Sequence, residues 1–129
     1  MIALGSNIFI YWLERNPEFY ELSAEIIKQI HADKQQACCS ILVLTEIYSE
    51  NSQAIKAITN LPNLSAIPVT QEVAELAGKL RYTHGIKVID SVHAASALHG
   101  GADTFLTNDI PLSKKEIPCL TIKLLTKAM

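Results

Sequence analysis

Three carboxylates in this 129-residue chain stand where apolar segments ought not to tolerate them. They are Glu46 in SILVLTEIY, Asp90 in KVIDSVHAASAL and Asp109 at the close of TFLTND. A carboxylate taken out of water is costly unless a cation or hydrogen-bond donors meet it. Were the three to converge, each close pair would repel on the order of a few kcal/mol at an effective dielectric of about 20. A divalent cation removes that repulsion, and a ligand set made only of oxygens suits Mg²⁺ or Mn²⁺. Each carboxylate also has a plainer role open to it. Glu46 can be a solvent-side helix residue, Asp90 a helix N-cap and Asp109 an ordinary turn aspartate. Ser6 and Asn7, beside the first strand, can cap a helix or orient their neighbours.

Positioning those residues falls to alternating strands and helices. MIALG reads as a strand, followed by a helix from Asn7 to about Glu14. Asn16-Pro17 starts a second helix running to about Asp33, whose stripe is Phe19, Leu22, Ile26, Ile27 and Ile30. A strand over 36–40 precedes a helix capped by Ser40 that carries Leu42 to Glu50, and a further helical piece spans Ser52 to Thr59. After a strand over 64–69, Thr70 caps a helix from Gln71 to His84, which Gly85 stops in the left-handed region. Asp90 to Leu98 reads as a small-residue helix ended by Gly100-Gly101. Strands over 104–107 and 120–124 complete the set. This alternation predicts an α/β fold, a three-layer α/β/α sandwich on a parallel five-stranded sheet, with residues 1–129 as one domain. Ligands in such sheets gather beyond the carboxyl ends of the strands. Gly5-Ser6-Asn7 and Asn108-Asp109 would both lie there.

Composition narrows the class. Hydrophobic residues make up 49% and charged residues 19%, which excludes a disordered chain. The formal charge of −2 gives no global attraction to nucleic acid or anionic membrane, although a local basic rim survives such a count. IFIYWL is short and is stopped by Glu14 and Arg15, so neither a signal peptide nor a membrane span is expected, and the cytoplasm is the expected location. Cys38, Cys39 and Cys119 are expected as small buried residues, and the four histidines show no zinc-ligand spacing.

The motifs in their order resemble those of PIN-domain ribonucleases. LGSNIFIYWLE is similar to that family's opening motif, a strand running into Asp-Thr/Ser-Asn and an apolar helix. SILVLTEIY resembles its second acidic motif, IDSVHAASAL its third and FLTND its fourth, so the likeness spans essentially the whole chain. The resemblance, which extends to the VapC-type toxins of toxin–antitoxin pairs, implies a PIN-like fold and an endoribonuclease dependent on Mg²⁺ or Mn²⁺. Metal-activated water would hydrolyse RNA phosphodiester bonds. It further implies a homodimer held silent by a small antitoxin. Carried over by motif, Glu46, Asp90 and Asp109 are the catalytic and metal-binding candidates, and Ser6 and Asn7 match the pair that supports the first acidic position.

Gly5 departs from the pattern, because the family has an aspartate there and glycine offers no side-chain oxygen. Three carboxylates then remain of four, and a misplacement of ~1 Å can cost on the order of a hundredfold in rate. An impaired nuclease is therefore expected. The alternative is a catalytically inactive PIN-fold module that binds RNA or an antitoxin. Gly5 is compatible with a degenerate member, with a three-carboxylate site filled out by waters, or with a single base change acquired in cloning. Arg15, Lys87 and Lys114, with Lys79, Arg81 and Lys115, could engage RNA phosphates or simply be solvated. Tyr11, Trp12, Phe19 and Tyr20 could stack on bases, or pack the core or a partner contact. A phosphoacceptor signalling domain also clusters acids at strand ends, but the acids it needs at strand one are absent.

Overall fold

Period-two alternation in the strands dictates the layering seen in the computed structural model, which describes residues 1–48 and 53–127. In β1 (Ile2–Leu4), Ile2 and Leu4 face one apolar core and Ala3 faces another. β2 (Ala37–Ser40) sends Ala37 and Cys39 to the first core and Cys38 to the second. β4 (Thr104–Thr107) divides Leu106 and Phe105 in the same way. Adjacent strand residues point to opposite faces, so each central strand must be covered on both sides. β3 (Leu64–Ile67) and β5 (Thr121–Leu124) form the edges. All pairings are parallel, in the order β3-β2-β1-β4-β5.

Helices α1 (Ser6–Leu13), α2 (Tyr20–His31), α3 (Leu42–Ile47) and α4 (Gln53–Thr59) cover the face of Leu4 and Leu106. The stripe expected on the second helix packs there in full: Ile26, Ile27 and Ile30 are buried, with Phe19 and Leu22 against them. Asn16 Oδ1 accepts from the amides of Glu18 and Phe19, so the cap holds a turn that leads into α2. Tyr11, Trp12 and Phe19 pack on the same core, and the rings of Tyr11 and Phe19 stack at 4.9 Å between centroids.

The opposite face carries α5 (Gln71–His84), α6 (Val88–His99) and α7 (Ile110–Ser113). Thr70 Oγ1 accepts from Val73 N, and Gly85 adopts φ +66°, as its sequence position predicts. Ala94, Ala95, Ala97 and Ser96 are buried, and side chains this small let α6 lie close to the sheet.

Several expected boundaries differ. α6 begins at Val88, two residues before Asp90, because Lys87 (φ −63°, ψ 153°) is its extended N-cap; its first turn exposes Val88 and Ile89, apolar residues that read as core. α3 ends at Ile47, where Tyr48 turns extended (φ −57°, ψ 135°). The expected continuation to Glu50 and the helix start at Ser52 fall outside the described residues. TNDIP leads through the Asp109 cap into the short helix α7 rather than forming a turn alone. Gly101, at φ +89°, takes the left-handed position after α6, while Gly100 remains right-handed. Cys38 and Cys39 are buried free thiols, pushed up by burial to about 11 and about 12. Cys119, expected inside, is exposed on a left-handed turn residue at φ +68°. Among the described residues no helix is long and apolar enough to cross a membrane.

Candidate active site

Strand order reverses at the centre of the sheet: β2 and β3 lie to one side of β1, β4 and β5 to the other. That switch point opens a crevice beyond the carboxyl ends of β1 and β4, because the chains leaving them diverge. Gly5, Ser6 and Asn7 leave β1 there, and Asp109 follows β4. α3, which follows β2, contributes Glu46, and the first turn of α6 contributes Asp90. These residues line one cavity of about 160 Å³. The structure thus brings together Glu46, Asp90, Asp109, Gly5, Ser6 and Asn7, six positions that sequence singled out from four separate segments.

The carboxylates differ in their partners. Ser6 Oγ–H donates to Glu46 Oε2 at 2.9 Å, and His93 Nε2 lies 2.7 Å from Oε1. A carboxylate only accepts, so the imidazole proton sits on Nε2. Asp109 caps α7, its Oδ1 accepting from Leu112 N at 2.9 Å, while its own amide donates to Thr107 Oγ1. Asp90 is not the N-cap of α6; that position is Lys87, and Asp90 is the third residue of the first turn. Among the described residues no group donates a hydrogen bond to the Asp90 carboxylate. Burial pushes its carboxyl above the ordinary 3.8, the charge of Asp109 adds to the rise and that of Glu46 adds less, against the pull of His93 and Lys87. The acids therefore repel one another.

Fit to a divalent cation rests on the donor set. Three carboxylates and the buried side-chain oxygen of Asn7, which has no hydrogen-bond partner, supply the hard oxygen donors that Mg²⁺ and Mn²⁺ prefer. Among the described residues, however, no three His, Cys, Asp or Glu side chains already gather tightly enough to hold an ion. Donor chemistry fits; closure around a common point would need side chains to turn inward.

Gly5 bears on that gap. Its backbone is extended (φ −73°, ψ 160°), a conformation open to any residue. A Cβ placed there would lie 3.4 Å from Asn7 Oδ1 and from the Leu106 carbonyl oxygen, both ordinary contacts. Position 5 thus accepts a side chain without backbone strain, and that side chain would start beside the unpartnered oxygen of Asn7.

The basic candidates lie outside the cavity wall. Lys87 precedes Asp90 by three residues and is exposed, and Lys114 follows α7. Arg15 follows the far end of α1 from Ser6, its guanidinium 5.6 Å from the centre of the Tyr20 ring. Sequence reasoning missed His93, which is 5% exposed and lines the cavity. One signal could have found it: His93 lies three residues after Asp90 on a helix, hence on the same face.

The PIN domain family model matches residues 2–117. The fold is similar to a chain in the crystal structure of VapBC2 from Rickettsia felis bound to a DNA fragment from their promoter. Sequence identity is 26%, coverage 96% of this chain and 98% of that one, and the TM-score 0.67. A toxin–antitoxin complex from Klebsiella pneumoniae gives a TM-score of 0.72 over 94% of this chain and 96% of that chain. At 18% identity that likeness concerns the fold alone. No curated protein matches the chain in sequence.

Proposed function

The chain belongs to the PIN-domain family, and on that premise we propose that it is an Mg²⁺- or Mn²⁺-dependent endoribonuclease of the toxin type, weakened by Gly5. The observation that carries this reading is the meeting of Glu46, Asp90 and Asp109 in one cavity at the switch point of the sheet. Asp90, Asp109 and Glu46 are the residues that would hold the cation. When bound, such an ion lowers the pKa of water and neutralises charge growing on a phosphoryl group. Ser6 fixes Glu46 through its hydroxyl, and Asn7 supplies a further oxygen. The Asp109 cap of α7 sets the direction of that carboxylate. Lys87 and Lys114 would meet the RNA backbone. The 129 residues act as one domain in the cytoplasm, as a homodimer restrained by an antitoxin. Support for that partner is the similarity to a chain of the VapBC2 complex from Rickettsia felis.

Gly5 favours a second reading, an inactive PIN-fold module that binds RNA or an antitoxin without cutting. Glycine adds no oxygen to the cavity, and both oxygens of Glu46 already accept hydrogen bonds. RNA cleavage with Mg²⁺ or Mn²⁺, with a chelator control, separates the two for the chain as it stands and for Gly5→Asp. Metal-dependent cutting by both supports the weakened enzyme. Cutting by Gly5→Asp alone supports the inactive module, and no cutting by either refutes the nuclease reading.

A further inference from the structure

His93 is the one buried imidazole in the cavity wall, and the chemistry proposed above gives it no task. Its helix brings it below Asp90, and the Nε2–H bond to Glu46 Oε1, at 2.7 Å, has the length of a hydrogen bond to a charged acceptor. Its other nitrogen, Nδ1, is buried without a partner. A purely structural buried histidine would ordinarily satisfy both nitrogens, since an orphaned polar atom is costly. This one satisfies only the nitrogen that reaches Glu46. From the opposite side Ser6 Oγ–H donates to Glu46 Oε2. A glutamate on a helix surface has several rotamers open to it, and α3 leaves this residue with partial solvent access. Two donors from two other helices, α1 and α6, select one orientation.

We propose that His93 is a positioning residue: through Nε2–H it fixes the Glu46 carboxylate at the cavity, and it acts on a bound cation only through Glu46. The inference rests on the metal-site reading and deepens it. With no side-chain oxygen at position 5, cation placement depends more heavily on the remaining carboxylates, and a freely rotating Glu46 would leave two. Outer partners that orient a ligating carboxylate typically carry about 10–100-fold in metal affinity.

Mn²⁺ alone is the probe, titrated by electron paramagnetic resonance into the full chain, with metal-free thermal unfolding as a second measurement. Glutamine can place its amide N–H where histidine has Nε2–H, whereas leucine fills the space without a donor. His93→Leu is expected to weaken Mn²⁺ binding at least about tenfold and His93→Gln to stay within about threefold of the parent. In a Glu46→Gln background, His93→Leu should add nothing. Equal losses for His93→Gln and His93→Leu, or a His93→Leu effect that persists without Glu46, would overturn the proposal. So would affinity that follows the unfolding temperature rather than the donor. If neither the parent nor Gly5→Asp binds Mn²⁺, the metal-site reading itself fails and the positioning role falls with it. That pattern is distinct from binding that ignores His93.

Discussion

Metal should reverse the effect of Gly5→Asp on stability, and the structure sets the size of that reversal. The extended backbone at position 5 imposes no strain, and the new Cβ makes only ordinary contacts. Restricting the unfolded chain should itself stabilise by about 0.5–1 kcal/mol. Against this, a fourth carboxylate enters a cavity where Asp90 already feels Asp109 and Glu46. Two carboxylates roughly 6 Å apart repel by about 3 kcal/mol at an effective dielectric of about 20. Ionic screening in an open crevice reduces that to about 2 kcal/mol. The metal-free variant is then less stable than the parent by about 1 kcal/mol, roughly 4 °C in Tm for a chain of this length. A hundredfold gain in cation affinity at saturating metal is worth about 2.7 kcal/mol, which exceeds the repulsion. Calorimetry in chelator and again in Mn²⁺ should therefore rank the two proteins in opposite orders. RNA cleavage by the variant should rise about a hundredfold, the scale set by restored placement. If Gly5→Asp is the less stable protein in both buffers and cleaves no faster, the cavity is not a cation site.

Asp90→Asn tests the same repulsion by pH. A carboxyl raised by folding binds more protons in the native state than in the unfolded chain, so stability falls as pH climbs from 3.8 through the raised value. Metal-free Asp90→Asn should therefore resist urea better than the parent near neutral pH, and the two midpoints should converge as the pH drops below 3.8. Asp109 separates cap from charge. Asp109→Asn keeps an acceptor for Leu112 N and removes the charge that raises Asp90, so its metal-free urea stability should equal or exceed the parent's. Asp109→Ala, which loses the cap, should fall about 1 kcal/mol below Asp109→Asn. Both should abolish metal-dependent cleavage. Thr70→Ala, which removes the α5 cap, should cost about 1 kcal/mol in urea unfolding without altering Mn²⁺ affinity.

Much of the fold was legible because its determinants are local. The Thr70 cap, the Gly85 stop and the apolar stripe of α2 each lie within one segment, and their spacing alone settles the element. Alternation of strand and helix then fixed a parallel sheet, since parallel neighbours require crossovers. Boundaries failed where locality failed. Val88 and Ile89 are apolar yet exposed, so α6 starts earlier than burial reasoning allows. Asp109 is at once cap and cavity residue, so TNDIP read as a turn conceals a helix.

The site divides in the same manner. Residue types singled out the carboxylates at 46, 90 and 109, and the resemblance to PIN domains singled out Gly5 as the position short of an oxygen donor. Their convergence depends on β1 and β4 lying side by side at the switch point, a pairing across about a hundred residues that no local spacing encodes. The hydrogen bond between His93 and Glu46 spans 47 positions. Sequence named the chemical groups; only the packed sheet decided which of them share a wall, because contact between distant segments follows from burying both faces at once.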